Sequence, residues 1–156
     1  MKKITIIFSA FLLFSQIKGL AQASKSRIFP LGKLNAANFT GKVWLYRLVA
    51  QDTTFNLVAG SVTFSPGARS FWHSHNAGQI LMVTSGTGYT QEKGKPIRVI
   101  HKGEVIACAP NVEHWHGASP GSYMTHISLN PNADQGVINW LRPVTDQEYN
   151  SLTTHL

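Results

Sequence analysis

The sequence is poor in cysteine and in charged side chains, and each shortage excludes a class of protein. Cys108 is the only cysteine among the 156 residues, so no intramolecular disulfide can form. It lies in the apolar stretch 105–109, where we expect it to be a small buried side chain. Only 13% of the residues are charged and 43% are hydrophobic, which is typical of a compact domain and argues against disorder.

Acidic residues are scarce as well. The chain has seven Asp and Glu residues and 14 Lys and Arg residues, which gives a formal net charge of +7 at pH 7. Loss of residues 1–23 would remove three lysines and lower this charge to +4. The remaining basic residues are spread along the chain, without a basic stripe interleaved with aromatic residues. The sequence therefore predicts no nucleic-acid partner and only a weak preference for anionic partners.

The chain also lacks an apolar run long enough for a stable membrane anchor. The apolar stretch 4–14 falls short of the ~20 residues that a spanning helix needs. Lysines at positions 2 and 3 precede it and Ala21-Gln22-Ala23 follows, an arrangement typical of a secretory signal peptide. We expect residues 1–23 to be a signal peptide cleaved after Ala23 or Ala21. The mature chain, 24–156, would then be secreted or periplasmic, without stable membrane insertion.

The mature chain consists of short segments rich in β-branched and aromatic residues, separated by Gly, Pro and Asn. A short helix is expected only at 145–152, where Thr145 can cap its amino end. Evenly spaced strands without intervening helices predict a single all-β domain, an antiparallel sandwich or barrel. The predicted strands are 42–50, 57–64, 69–75, 79–84, 87–92, 97–100, 104–108, 113–117, 123–129 and 137–142.

A pair of histidines predicts a metal site. His73 and His75 lie two residues apart on an extended segment, so their side chains project from the same face. Gln79 follows a tight turn and can bring an amide oxygen to the same point, and His114 can supply a third imidazole. Imidazole nitrogens and an amide oxygen, with coordination positions left open, suit a catalytic divalent transition metal.

The spacing of these residues, with Gly67 before them and Gly86 after them, closely resembles the two-part signature of the cupin family. The resemblance covers about residues 57–130. One departure is that Gln79 stands where the family's first motif has a metal-binding Glu. The resemblance implies that the all-β domain is a cupin double-stranded β-helix, a jelly-roll barrel, followed by the short C-terminal helix.

Longer runs, among them Val83-Thr-Ser-Gly-Thr-Gly and His114-Trp-His-Gly-Ala, resemble the small bacterial cupins related to (R)-mandelonitrile lyase. These are manganese-dependent hydroxynitrile lyases. The resemblance makes the Gln an expected ligand and implies Mn²⁺, although Fe²⁺, Ni²⁺ and Zn²⁺ accept the same ligands. It also implies roles for eight residues: His73, His75, Gln79 and His114 as metal ligands, His126 and His116 as catalytic groups beside the metal, and Gly60 and Val62 in the substrate pocket.

Three functions remain open at this stage. The first is a carbon–carbon lyase that cleaves or forms aromatic cyanohydrins by Lewis-acid and histidine acid–base chemistry. The second is a dioxygenase of quercetinase type, and the third is a non-catalytic periplasmic cupin that binds a metal or a small ligand. For His116 and His126, hydrogen bonding within the barrel is the alternative to a direct catalytic role.

An association prediction comes from residues 79–83. Apolar side chains at consecutive positions mean that both faces of this strand require burial. The family resemblance implies a homodimer or homotetramer, and the expected partner is a small-molecule substrate.

Overall fold

A computed structural model describes residues 27–51 and 54–152 of the chain. The predicted signal peptide, 1–23, and its cleavage site lie outside the described residues. Within the described residues, no helix has the length and apolar character that crossing a membrane requires.

The described residues form twelve strands, one 3₁₀ turn at Ala133–Gln135 and one short α-helix, α1 (Asp146–Tyr149). All strand pairs are antiparallel. The strands are β1 (Lys33–Asn35), β2 (Phe39–Thr40), β3 (Val43–Val49), β4 (Leu57–Phe64), β5 (Arg69–Ser70), β6 (His73–Ser74), β7 (Gln79–Glu92), β8 (Arg98–His101), β9 (Val105–Cys108), β10 (His114–Ala118), β11 (Met124–Pro131) and β12 (Asn139–Trp140).

The strands form two sheets that share β7. The first half of β7 pairs with β11 and β9, and β4, β3 and β1 continue that sheet beyond β11. The second half of β7 pairs with β10 and β8, and β5, β6, β2 and β12 complete the second sheet. The result is a nearly closed antiparallel barrel with one helix at the C-terminal end of the described chain, which confirms the predicted all-β jelly roll.

The prediction of two strands at 79–84 and 87–92 is wrong, because β7 runs unbroken through Gly86. Gly86 has φ 77°, and a Cβ at this position would collide with the carbonyl oxygen of Tyr123. The register with β11 also shifts next to this glycine, where Thr125 pairs with Ser85 but His126 pairs with Val83. The glycine bends one long strand from one sheet into the other instead of ending it.

Three further expectations differ from the structure. The predicted strand 69–75 is divided into β5 and β6. Between these two strands, the backbone N–H groups of Phe71 and Trp72 donate to the carbonyls of Asn38 and Arg142, which lie outside the strands. The segment 137–142 contributes only the two residues of β12, and β1 and β2 were not predicted. Each of these short strands borders irregular chain, where the alternation of side chains is too brief to mark a strand.

Two groups of buried side chains fill the protein. The larger group occupies the barrel interior and includes Val43, Phe64, Leu81 and Met124, and Cys108 is buried with them as predicted. The smaller group lies on the opposite face of β10. It consists of Trp72, Trp115, Val144 and Tyr149, with Tyr89 and Ile97 against it.

The C-terminal segment is fixed to the barrel through Arg69. Its guanidinium donates to the carbonyl of Val144 and to the Asp146 carboxylate, and it stacks on the Tyr149 ring at 4.6 Å from the centroid. Thr145 caps α1 as predicted, and Glu148 completes the capping box. The helix is one turn long rather than 145–152, and it ends at Tyr149.

Candidate metal centre and cavity

Strand pairing brings two of the predicted metal ligands together. His73 on β6 lies directly opposite His114 on β10, and their ring centroids are 4.3 Å apart. His75 follows β6, with its ring 5.2 Å from that of His73 and 5.6 Å from that of His114. All three rings are almost completely buried.

Backbone carbonyls fix the orientation of these three rings. His73 Nδ1 lies 2.9 Å from the carbonyl oxygen of Phe71, and His114 Nδ1 lies 2.9 Å from that of Val112. His75 Nδ1 bonds the carbonyl of Val137. A carbonyl only accepts, so each neutral ring must carry its proton on Nδ1 and leave a lone pair on Nε2. This is the tautomer that a metal-binding histidine needs.

Two neighbours orient the Gln79 amide in the same manner. Its Nε2 donates to Ser128 Oγ at 2.9 Å and to Asn130 Oδ1 at 3.2 Å. Its Oε1 therefore faces the histidines, at 3.1 Å from His114 Nε2. The Gln79 side chain also interacts with the rings of His73 and His75.

The donor set fits a divalent cation. His114 Nε2 and Gln79 Oε1 both present lone pairs, so the 3.1 Å between them is not a hydrogen bond between neutral groups. Two adjacent ligands of one ion, each at ~2.1 Å from it, stand about 3 Å apart. His75 Nε2, which is buried, has no hydrogen-bond partner among the described residues. A cation bound between these atoms would satisfy all of them.

Burial keeps the histidines in the form that binds metal. Desolvation, followed by the proximity of His114, holds the pKa of His73 well below its usual 6.5 and lowers the pKa of His75 to about 4. Desolvation also lowers the pKa of His114. The rings are therefore neutral at pH 7, and a cation need not displace protons from them.

His116 lies closer to this centre than the sequence suggested. Ring nitrogens of His73, His114 and His116 all approach within 4.8 Å of one another, a cluster that does not include His75. His116 and His75 have nearly equal ring distances to His73, both 5.2 Å. The structure thus brings His73, His114 and His116 together, with His75 and the Gln79 amide beside them.

His126 lies beside His116 at the closed end of the cavity. The two ring centroids are 4.8 Å apart, and Phe64 stacks on His126 at 5.6 Å. Neither nitrogen of His126, nor Nδ1 of His116, has a hydrogen-bond partner among the described residues. Burial lowers the pKa of His126 to about 4 and that of His116 well below its usual value.

A cavity of about 380 Å³ opens from these histidines towards the surface, within the size range of small-molecule sites. Its lining includes Gly60 and Val62, the residues that the resemblance assigns to the substrate pocket, together with His73, Gln79, His116 and His126. Phe39 and Trp140 add an aromatic wall, since their ring centroids are 5.6 Å apart and Trp140 lies 5.0 Å from His73.

Sequence reasoning missed several residues that support the site. Ser128 and Asn130 orient Gln79, and both share the strand face of His126 at intervals of two residues. That alternation was the signal that could have identified them. The Val137 carbonyl, which holds His75, belongs to irregular chain and has no comparable signal in the sequence.

Comparisons with known proteins agree with this architecture. Residues 60–126 match the model of the cupin domain family. The chain is 41% identical over 118 residues to an (R)-mandelonitrile lyase of Granulicella tundricola, covering 76% of this chain and 90% of that protein.

Solved structures give the same result. The crystal structure of a cupin-like protein from Thermotoga maritima is 44% identical and superposes with a TM-score of 0.79, over 83% of this chain and 99% of that one. A DMSP lyase from Ruegeria pomeroyi, 17% identical, shares the fold with a TM-score of 0.59 over 92% of this chain and 73% of that one. The barrel, the histidine cluster and the identity to these relatives show that the chain belongs to the cupin family.

Proposed function

We propose that this cupin is a metal-dependent lyase that cleaves or forms aromatic cyanohydrins. The observation that supports this most is that one cavity is lined by a neutral nitrogen–oxygen donor set that fits a metal ion and by two buried imidazoles. Both nitrogens of His126 and Nδ1 of His116 lack a hydrogen-bond partner among the described residues. The 41% identity to an (R)-mandelonitrile lyase supports the same reaction class.

In this proposal His73, His75, Gln79 and His114 hold the metal ion, and Mn²⁺ is the expected metal. His116 stands beside the ion as a further nitrogen donor or as a proton carrier. When bound, a divalent ion supplies Lewis-acid chemistry, and a shell of neutral ligands leaves its full charge to act on a substrate oxygen.

In this proposal the proton chemistry belongs to His126 and His116. His126 is neutral at pH 7, so one of its ring nitrogens can accept the hydroxyl proton of a cyanohydrin. The carbon–carbon bond to the nitrile then breaks, its electron pair leaves with cyanide, and the hydroxyl carbon becomes an aldehyde. Cyanide takes this proton back from the imidazolium of His126, either directly or through His116, whose ring lies 4.8 Å away, and both rings end neutral.

The cavity walls determine what can be held in this position. Val62 and the missing side chain of Gly60 leave room next to the histidines, and Phe39 and Trp140 can pack on an aromatic ring. An aromatic aldehyde, such as benzaldehyde, suits these walls.

Three measurements on the purified protein test the proposal. Metal analysis should find a divalent transition metal, and mandelonitrile should be converted to benzaldehyde at a rate that a chelator abolishes and Mn²⁺ restores. Oxygen uptake with candidate substrates should be absent. Oxygen consumption without cyanohydrin cleavage would instead favour the dioxygenase, and bound metal with neither activity would favour the binding module.

We also propose that two or more copies associate through the outer face of the first sheet. Met82 on β7 pairs with Val105 on β9, and these side chains remain 37% and 58% exposed. Half-buried Ile80 lies beside them, so the second face of this strand, which by its apolar sequence requires burial, is uncovered among the described residues. Sedimentation should detect a dimer or tetramer that Val105→Lys weakens, and a monomer at micromolar concentration would contradict this.

Export is the remaining proposal. If residues 1–23 are a signal peptide, the mature protein should begin at residue 22 or 24 and be found in the periplasm or the medium. N-terminal sequencing of the protein from cell fractions tests this, and an intact N-terminus in the cytoplasmic fraction would contradict it.

A further inference from the structure

The cavity is lined by one permanently charged side chain, that of Arg47. The other lining residues are apolar, neutral polar or histidine, and no Asp or Glu is among the described residues that line it. Arg47 is therefore the fixed charge of the cavity lining.

Arg47 stands at the mouth of the cavity. Side chains alternate along β3, so Val43, Leu45 and Arg47 share the face that turns towards the barrel interior. Along this face exposure increases from 0% at Val43 to 37% at Leu45, and Arg47 is exposed while still lining the cavity. The row thus runs from the core to solvent, and the guanidinium lies at the solvent end.

No described residue neutralises this guanidinium. Arg69, Arg98 and Arg142 each form an ion pair with a carboxylate, at 2.6, 3.2 and 2.6 Å respectively. Within 27–51 and 54–152, Arg47 has neither an ion pair nor a side-chain hydrogen bond. Its donors are therefore available to a ligand.

Strand pairing connects Arg47 to the wall that carries Ser128. Gly60 is the partner of Arg47 across the β3–β4 pair, and Ser128 is the partner of Gly60 on β11. A Cβ at Gly60 would lie 3.2 Å from Leu45 Cδ1, so a larger residue there would crowd the Leu45 side chain, which also lines the cavity.

We propose that Arg47 binds a carboxylate group of the substrate, so that the natural substrate is an anionic cyanohydrin that carries a carboxylate, and not a neutral one such as mandelonitrile. The planar guanidinium presents parallel N–H donors that match the two oxygens of a carboxylate. The substrate's hydroxyl or carbonyl end lies among the histidines, and its apolar body lies against Trp140. The inference deepens the proposed function, on which it rests for the position of the reacting end.

A pair of non-reacting probes tests this independently of catalysis. 4-(Hydroxymethyl)benzoate and 4-(hydroxymethyl)benzamide have nearly the same shape and differ in charge, and calorimetry with Mn²⁺-loaded protein gives their dissociation constants. A charge-assisted hydrogen bond at a partly exposed site should favour the benzoate by about tenfold or more.

Three variants assign that preference. Arg47→Gln should remove it by weakening benzoate binding with little effect on the benzamide, and Arg47→Lys should retain part of it. Lys42→Gln, which removes an exposed charge just before the other end of β3, should leave it unchanged. A preference that survives in Arg47→Gln would place the carboxylate on the metal and overturn the proposal, as would failure of wild type to bind the benzoate at millimolar concentration.

The outcomes also separate this inference from the proposed reaction. Loss of the preference in Arg47→Gln, in a protein that does not cleave mandelonitrile, would support the anion site and reject the lyase. Cleavage of mandelonitrile without any charge preference would support the lyase and reject the role of Arg47.

Discussion

Gln79→Glu replaces one amide NH₂ group of the candidate metal centre by an oxygen and adds a negative charge. The new charge would lie 3.1 Å from His114 Nε2. Opposite unit charges at this distance attract by about 5 kcal/mol at an effective dielectric constant of 20. If the cost of burying the carboxylate cancels half of this attraction, the remaining energy corresponds to a pKa shift of about two units in favour of the ion pair.

The metal-free variant should therefore hold one proton that the wild type lacks. In the wild type the pKa of His114 lies below its usual value and the ring is neutral at pH 7. In the variant, the carboxylate and His114 should share a proton at pH 7 and titrate as a pair. In the wild type, Asn130 Oδ1 accepts a hydrogen bond from Gln79 Nε2. Because the substitution replaces this donor by an oxygen, the Asn130 amide must flip and present its NH₂ group.

Calorimetry of Mn²⁺ binding in two buffers of different ionisation enthalpy measures this proton. The wild type should release close to none at pH 7 and Gln79→Glu about one. Turnover of the variant should fall although it retains metal, because the carboxylate offsets the charge that acts on the substrate. Gln91→Glu, the same substitution near the other end of β7, should behave like wild type. Equal proton release in Gln79→Glu and wild type, or a rise in turnover, would refute the reasoning.

Three further predictions concern the histidines. His75→Ala should remove most of the bound metal, whereas Ser74→Ala should not, because Ser74 points away from the centre. Elemental analysis measures the metal content of both variants, and equal contents would contradict the ligand assignment. His126→Ala should keep its metal but lower turnover by ~100-fold or more. Turnover should be unchanged in the control His101→Ala, which alters an exposed histidine. Full activity of His126→Ala would assign the proton transfer to His116 or to water. Since burial lowers the pKa values of His75 and His126 to about 4, the unfolded chain takes up protons first as pH falls. The free energy of unfolding of the metal-free protein should therefore decrease by roughly 3 kcal/mol per histidine as the pH falls from ~6.5 to ~4. Urea titrations at several pH values measure this, and a constant free energy would contradict the lowered pKa values.

Side-chain alternation explains what the sequence predicted well. A period of two puts His114 and His116 on one face of a strand and Trp115 on the other, and Trp115 does lie in the second buried group. The same period puts Ser128 on the strand face of His126. These are local relations within one strand, and the strand period of two suffices to derive them.

Other features depend on contacts between strands that a single sequence does not reveal. The bonds from Gln79 to Ser128 and Asn130 require the register of β11 against β7, which is set by the whole sheet. Gly86 resembled a turn in the sequence because a glycine at a bend and a glycine at a chain reversal look the same. The support of His75 by the Val137 carbonyl comes from a backbone group, which every residue possesses.

The wide spacing of the proposed metal ligands along the chain has a consequence for folding kinetics. His73 and His114 meet only when β6 pairs with β10, a contact between residues far apart in sequence. Such contacts form after the loop between them has closed, late in folding. An ion that requires both side chains therefore finds its ligands in the finished barrel. Free Mn²⁺ should slow the opening of the native protein and leave its rate of formation almost unchanged.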